Sequence, residues 1–201
     1  MKWECNGQTI ENCVVFFKVN EKWGELSNMN NAFPLKIGDV LVGSSEALYQ
    51  AMRYPHRPDW QKEILDAPHA MQSKMKSKKD GRRKTGSRPD WEQVQEEVMR
   101  WVLRVKLACH PKNFGRFLRA TKDQPIVEQS RKDRYWGAVP GEDSVLRGEN
   151  RLGRLLMELR EALNAVAVGQ EAELLRVEPP AISDFTLLGK GIGRVEADLR
   201  R

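Results

Sequence analysis

Glu46 opens the run Ser45-Glu46-Ala47-Leu48-Tyr49-Gln50-Ala51-Met52-Arg53, in which Glu46, Tyr49, Gln50 and Arg53 recur at i, i+3, i+4 and i+7. On an α-helix these four share one face, opposite an apolar strip of Ala47, Leu48, Ala51 and Met52. The polar face lacks the Lys/Glu mix of a solvated one. Two readings of Glu46 stand. An acid in a first turn complements the helix dipole, worth about 0.3–1 kcal/mol; alternatively it is the carboxylate of an active site. Ser44 and Ser45 already offer capping hydroxyls, which keeps the second reading open. A second acid, Asp133, lies in "SRKDRYWGAVPG" beside Tyr135, Trp136 and Gly137. It is a loop cap, a salt-bridge partner of Arg131 or Arg134, or the second carboxylate of a site on a glycine-permitted loop. Trp91, at the start of a long helix, either closes the core or walls a pocket where a flat ring stacks. Asn150 either caps the last long helix, ends the loop before it, or hooks a ligand.

The elements that must carry these residues follow from pattern. Cys13 to Val19, "CVVFFKV", reads as a buried strand. "GELSNM" is a loop. Leu35 and Ile37 alternate on one side of Gly38-Asp39, and Val40 and Val42 on the other, which predicts a hairpin with a type II′ turn. Helices are expected from Ser45 to Arg53, from Trp60 to Asp66 and from His69 to Lys79. A longer one begins at Pro89-Asp90, where Asp90 and Gln93 form a capping box. Further helices start at Pro111 and at Arg151. "PIVEQS" suits a helix or a strand. The fold class is α+β and predominantly helical, with a small antiparallel sheet near the N-terminus. From about Gly169 the periodicity weakens and an appended segment is expected. Its Gly189-Lys190-Gly191-Ile192-Gly193 matches no phosphate-binding fingerprint and reads as a turn or linker.

Composition narrows the class. The 201 residues carry a net charge of +6. Eight Lys/Arg and one Asp between Lys74 and Arg88 give +7, so the rest of the chain is close to neutral. That stretch is either a solvated, mobile loop or a phosphate-contacting one. Three cysteines and three histidines are scattered without metal-ligand spacing, so no metal and no cofactor are expected. No apolar stretch reaches spanning length and the N-terminus has no signal-like core, so a cytoplasmic protein without membrane contact is expected.

The segments "GELSNM", "SSEALYQAMRY", "KSKKDGRR", "RPDWEQVQEEVM", "LRATKDQPIVEQSRKDRYWG" and "ENRLGRLLMELR" occur in the order found in one family. The chain resembles the NADAR family, the NAD- and ADP-ribose-associated domain that includes YbiA-like proteins. The resemblance implies a YbiA-like N-glycosidase domain over 1–167 and a C-terminal extension over 168–201. It implies catalytic roles for Glu46, Trp91 and Asp133, with Lys78 as a further candidate through a Schiff base to an opened ribose. The matching segments also place substrate contacts at Ser27, Asn28, Tyr49, Gln50, Arg53, Arg82, Tyr135, Trp136, Gly137 and Asn150.

Two substrate branches follow from the resemblance. One hydrolyses aminated ribose-phosphate intermediates of riboflavin synthesis. The other removes ADP-ribose from guanine in DNA or RNA, often as antitoxin to an ADP-ribosyltransferase toxin. After Tyr-Trp-Gly this chain reads "AVPGEDSVLRGEN", with Leu146 where the riboflavin-type pattern has tryptophan, and "GELSNM" carries Leu26 and Met29 where aromatics are commoner. With the +7 stretch, this favours an ADP-ribosyl-guanine hydrolase whose substrate is ADP-ribosylated nucleic acid and whose product is ADP-ribose. The riboflavin-type glycosidase is the alternative. A non-catalytic ADP-ribose reader is the third, and it would have no need of both acids.

Overall fold

The computed structural model describes residues 1–167 and 170–197. In chain order the strands are β1 Lys2–Cys5, β2 Gln8–Ile10, β3 Val14–Phe16, β4 Leu35–Ile37, β5 Val40–Val42, β6 Ile126–Glu128, β7 Val139–Pro140, β8 Val145–Arg147, β9 Arg176–Val177, β10 Thr186–Leu187, β11 Lys190–Gly191 and β12 Val195–Glu196. The helices are α1 Ser45–Ala51, α2 Pro58–Leu65, α3 Ala70–Lys76, α4 Arg82–Thr85, α5 Trp91–Cys109, α6 Asn113–Ala120 and α7 Arg151–Asn164, with short 3-10 turns at Gly24–Leu26 and Lys79–Gly81. The α+β class holds. The chain divides into two compact units, Met1–Ser27 with Lys112–Gln170, and Asn28–Pro111 with Glu171–Arg201.

The first unit holds a four-stranded sheet of order β2-β1-β8-β7, in which β1 runs antiparallel to β2 but parallel to β8. The sheet near the N-terminus is therefore mixed, not purely antiparallel. Asn6 and Gly7, both at positive φ, make the β1–β2 turn. Trp3, Val127, Ala138 and Leu146 form its core. The expected strand at Cys13–Val19 shortens to β3, which pairs in parallel with β6 and settles "PIVEQS" as a strand. In α7, Leu152, Leu155, Leu156, Leu159 and Leu163 are buried, each worth about 1.5–3 kcal/mol of burial.

In the second unit the β4–β5 hairpin turns at Gly38, whose φ is +55° while that of Asp39 is not positive, as a type II′ turn requires. Helix α1 packs against α2, α3 and α5. Ser44 Oγ accepts the Ala47 N–H at 3.1 Å and so caps α1, a contribution of about 1 kcal/mol. The capping box expected at Asp90 does not form: no side chain caps α5. The Asp90 carboxylate is instead gripped by Arg88, with Nε to Oδ1 at 2.6 Å and Nη2 to Oδ2 at 3.0 Å. These hydrogen bonds hold the Asp90 carboxyl below the usual carboxylate range.

The basic stretch is folded, which overturns its reading as a mobile loop. It forms the end of α3, a 3-10 turn and α4. Arg82 is buried, donates to Glu63 Oε2 at 2.7 Å and lies over the Trp60 ring. Gly86 presses so closely on Trp60 that a Cβ there would stand 2.4 Å from the indole. The segment after residue 170 is also structured. β9 pairs with β12, β10 pairs with β11, and Leu188 and Gly189, both at positive φ, turn the second hairpin. Among the described residues no helix is long and apolar enough to cross a membrane.

Candidate active site

The second unit gathers Glu46, Tyr49, Gln50, Arg53 and Trp91. Glu46 lies in the first turn of α1 and is 6% exposed. Its backbone N–H donates to the Asn28 carbonyl at 3.0 Å, and Ser44 already serves Ala47, so the first turn needs no carboxylate to cap it. The side chain is held on the polar face. Oε1 accepts from Gln50 Nε2 at 2.9 Å and stands 3.6 Å from Lys74 Nζ. Oε2 takes no hydrogen bond from the described residues.

Gln50 itself has only one way round. Its Oε1 accepts from Ser77 Oγ at 2.8 Å and from Arg83 Nη2 at 2.8 Å. With both donors on the oxygen, the amide NH₂ must face Glu46. A polarised chain thus runs from the Arg83 guanidinium through Gln50 to the Glu46 carboxylate, and burial strengthens each link. The apolar strip of α1 is buried too, so this helix is enclosed on both faces.

On the helix that carries Glu46, Tyr49 meets Trp91 at the start of α5, and the pair is the aromatic wall of the candidate site. The Tyr49 and Trp91 rings are 5.1 Å apart between centroids, tilted by 56°. The Arg53 guanidinium carbon lies 4.2 Å from the Trp91 ring centroid, in cation–π range. Burial is the main cause that draws the Arg53 pKa below its ordinary value, and neighbouring Arg83 adds to it. Buried polar atoms almost always find a partner. Here Asn28 Oδ1, Arg53 Nε, Arg83 Nε and Trp91 Nε1 are buried without one among the described residues. Each such atom, left unmet, costs about 1–3 kcal/mol, so these four are where water or a polar ligand would be accommodated.

Asn28 closes the same group through its carbonyl to Glu46, while its Nδ2 contacts Met99 Sδ at 3.0 Å. Arg82 pairs with Glu63 and lies over Trp60, and its neighbour Arg83 is the one that reaches Gln50. Lys78 is exposed past the end of α3. Arg83, Ser77 and Lys74 are the residues the sequence candidates missed. Ser27, at the edge of the first unit, is buried.

The Asp133 loop belongs to the first unit. Asp133 is exposed, and its Oδ1 accepts the backbone N–H of Tyr135 at 3.0 Å and of Trp136 at 2.9 Å, an Asx turn. Oδ2 takes no hydrogen bond from the described residues. Neither Arg131 nor Arg134 pairs with it there. The Tyr135 and Trp136 rings meet edge to face at 5.2 Å. Gly137 is required by close approach, since a Cβ would stand 2.7 Å from the Glu128 carbonyl. The first N–H groups of α7 need no capping side chain, because Arg151 and Leu152 donate to the Tyr135 and Trp136 carbonyls. Asn150 stands at the N-cap position of α7, as expected, but its side chain does not cap the helix. It is wholly buried, its Oδ1 accepts the Glu128 N–H at 3.0 Å and its Nδ2 donates to the Ile126 carbonyl at 2.8 Å, so both ends are spent on β6.

A surface cleft of about 320 Å³ in the first unit, lined by Glu4, Cys5, Glu149, Arg151 and Arg154 among others, contains none of these candidates. Among the described residues no group of three or more His, Cys, Asp or Glu side chains is placed to hold a metal.

The candidate site of the second unit is thus a buried carboxylate on a short helix, held by an amide–arginine chain, with the tilted Tyr49–Trp91 pair on the same helix face. The NADAR domain model matches residues 15–164, and the chain belongs to that family. It is 35% identical over 149 residues to N-glycosidase YbiA of Escherichia coli (strain K12), covering 74% of this chain and 86% of that protein. It is 31% identical over 163 residues to the riboflavin biosynthesis protein VVA0006 of Vibrio vulnificus (strain YJ016), covering 80% of this chain but 41% of that longer protein. The NMR structure of E. coli YbiA superposes with a TM-score of 0.63 at 31% identity, covering 77% of this chain and 86% of that one. The fold is therefore YbiA-like.

Proposed function

We propose that the chain is an N-glycosidase that hydrolyses the bond between ADP-ribose and guanine in DNA or RNA. The observation that carries this is the Glu46–Gln50–Arg83 chain set beside the Tyr49–Trp91–Arg53 wall. Hydrolysis forms an oxygen–C1′ bond from water, breaks the C1′–N bond and returns a proton to the leaving nitrogen. Positive charge builds on the ribose on the way. A fixed carboxylate stabilises that charge or takes the proton from water. The indole and phenol rings suit a flat base, and the Arg53 and Arg83 guanidiniums suit a diphosphate. Relatives named N-glycosidase support the bond type. The substrate choice rests on the folded basic segment and on the Leu146 departure. A cognate ADP-ribosyltransferase toxin is the partner this reading implies. The competing reading, an aminated ribose-phosphate intermediate, draws support from the relative named for riboflavin biosynthesis.

The two separate in one experiment. ADP-ribosylated guanine oligonucleotide and the aminated intermediate are each incubated with the protein, and release of free sugar is timed. Release of ADP-ribose from the oligonucleotide alone is expected. Turnover of the intermediate alone transfers the chain to the other reading, and binding without turnover of either makes it a reader. The resemblance implies a catalytic part for Asp133, and that part is tested by itself. Asp133→Asn retains an oxygen for the Tyr135 and Trp136 N–H groups, so the melting temperature is expected to hold while turnover falls about tenfold or more. Wild-type turnover would leave Asp133 a loop residue only.

The basic segment has its own test. Lys76, Lys79 and Lys84 are changed together to Gln, and Arg82 is spared because it supports Trp60. The slope of log affinity against log salt for an oligonucleotide is expected to shrink by about 2, since each lost phosphate contact removes about 0.7–0.9. An unchanged slope assigns those charges to solvent.

A further inference from the structure

The family match ends at residue 164, yet residues 171–197 are part of the second unit, which carries Glu46 and Trp91. We infer that this C-terminal segment is a strap that positions the site, with Arg88 as its positioning residue. The inference rests on reading Trp91 and Arg53 as the wall of that site.

The strap grips both elements that carry the wall. At the start of α5, Arg88 Nη2 donates to the Ser183 carbonyl at 2.7 Å while the same guanidinium holds Asp90. The Arg88 backbone then links the two wall residues. Its N–H donates to the Arg53 carbonyl at 2.9 Å, and its carbonyl accepts the Trp91 N–H at 3.1 Å. At the end of α1, buried Gln61 gives Nε2 to both the Ala51 carbonyl at 3.2 Å and the Thr186 carbonyl at 3.0 Å, and accepts the Leu188 N–H at 2.6 Å on Oε1. Thr186 Oγ1 adds a bond to the Pro55 carbonyl at 3.2 Å. Phe185 anchors the segment edge-on against Trp101 of α5, with centroids 4.9 Å apart. Phe185, Leu187 and Val195 are buried. A loose tail would make none of these contacts. Every one falls on the frame around the site, and none reaches Glu46 itself, as expected of a segment that acts by placement.

The test uses the full chain and the substrate that the wild type cleaves. Arg88→Met removes the fork to Asp90 and Ser183. A displacement of the wall by about 1 Å is expected to lower kcat about 10- to 100-fold with a smaller change in KM, and Arg88→Lys, which still reaches one acceptor, is expected to recover part of it. Wild-type kcat and KM in folded Arg88→Met overturn the inference. Should Arg88→Met not fold, Arg88→Lys decides: lowered kcat with a wild-type melting temperature supports the strap, and wild-type kcat overturns it. The indole N–H resonance of Trp91, assigned by its loss in Trp91→Phe, is read on the same variants. It is expected to shift in both, and an unmoved resonance overturns the inference even if the wild-type chain cleaves neither nucleoside substrate.

Discussion

Glu46→Gln is expected to lose about 10²–10⁴-fold in N-glycosidase turnover, the range for removing a positioned general base, with the fold intact. The glutamine keeps an oxygen where Gln50 Nε2 donates at 2.9 Å, so the neighbouring chain to Ser77 and Arg83 stays assembled. The backbone anchor to Asn28 and the Ser44 cap do not involve the side chain. What disappears is the negative charge that answers the developing sugar cation. Initial rates of sugar release, paired with circular-dichroism melting, check both halves. Wild-type turnover in a folded Glu46→Gln protein would return Glu46 to the role of a dipole-complementing acid.

Trp91→Ala is expected to destabilise the protein by about 3–5 kcal/mol, the cost of truncating a buried indole. Trp91 is 2% exposed and touches both the Tyr49 ring and the Arg53 guanidinium. Its removal leaves a cavity and strips a buried cation of its aromatic face. The urea midpoint reads the effect directly. Trp91→Phe separates stability from function: it keeps a ring for stacking and most of the volume, so it is expected to fold while losing part of the activity. A Trp91→Ala unfolding free energy within about 1 kcal/mol of wild type would show that the ring is not packed as described here.

The long helices and the β4–β5 hairpin were legible because their signals are local. Leucines at helical spacing place α7, and a glycine-first turn between alternating residues places the hairpin. The polar face of α1 was legible for the same reason, and so was the Ser44 cap. Pairing between distant segments was not. β3 and β6 are short apolar runs 112 residues apart in sequence at Val14 and Ile126, and nothing local says that they meet, or that they meet in parallel. The Asn6-Gly7 hairpin hides for the opposite reason: its strands "KWEC" and "QTI" are too polar to alternate clearly, with Trp3 the one fully buried side chain among them.

Around Glu46, sequence pointed to the basic stretch but not to the member that contacts Gln50. Arg82 and Arg83 are adjacent and chemically identical. Only the phase of α4 sends the first to Glu63 and the second to Gln50. At Asp90 the local rule lost to a competitor two residues away, because a bidentate guanidinium outbids a backbone N–H for a carboxylate. Asn150 looked like a ligand hook because buried and binding amides share one letter; its two hydrogen bonds to β6 exist only once the fold is made.

Whether Glu46 acts on a sugar–nitrogen bond is tested most directly by single-turnover release of sugar. With enzyme in excess over ADP-ribosylated guanine oligonucleotide, the wild type is expected to liberate free ADP-ribose and leave unmodified guanine, and Glu46→Gln to bind the same oligonucleotide and liberate almost none. Equal release by the two proteins would contradict the account.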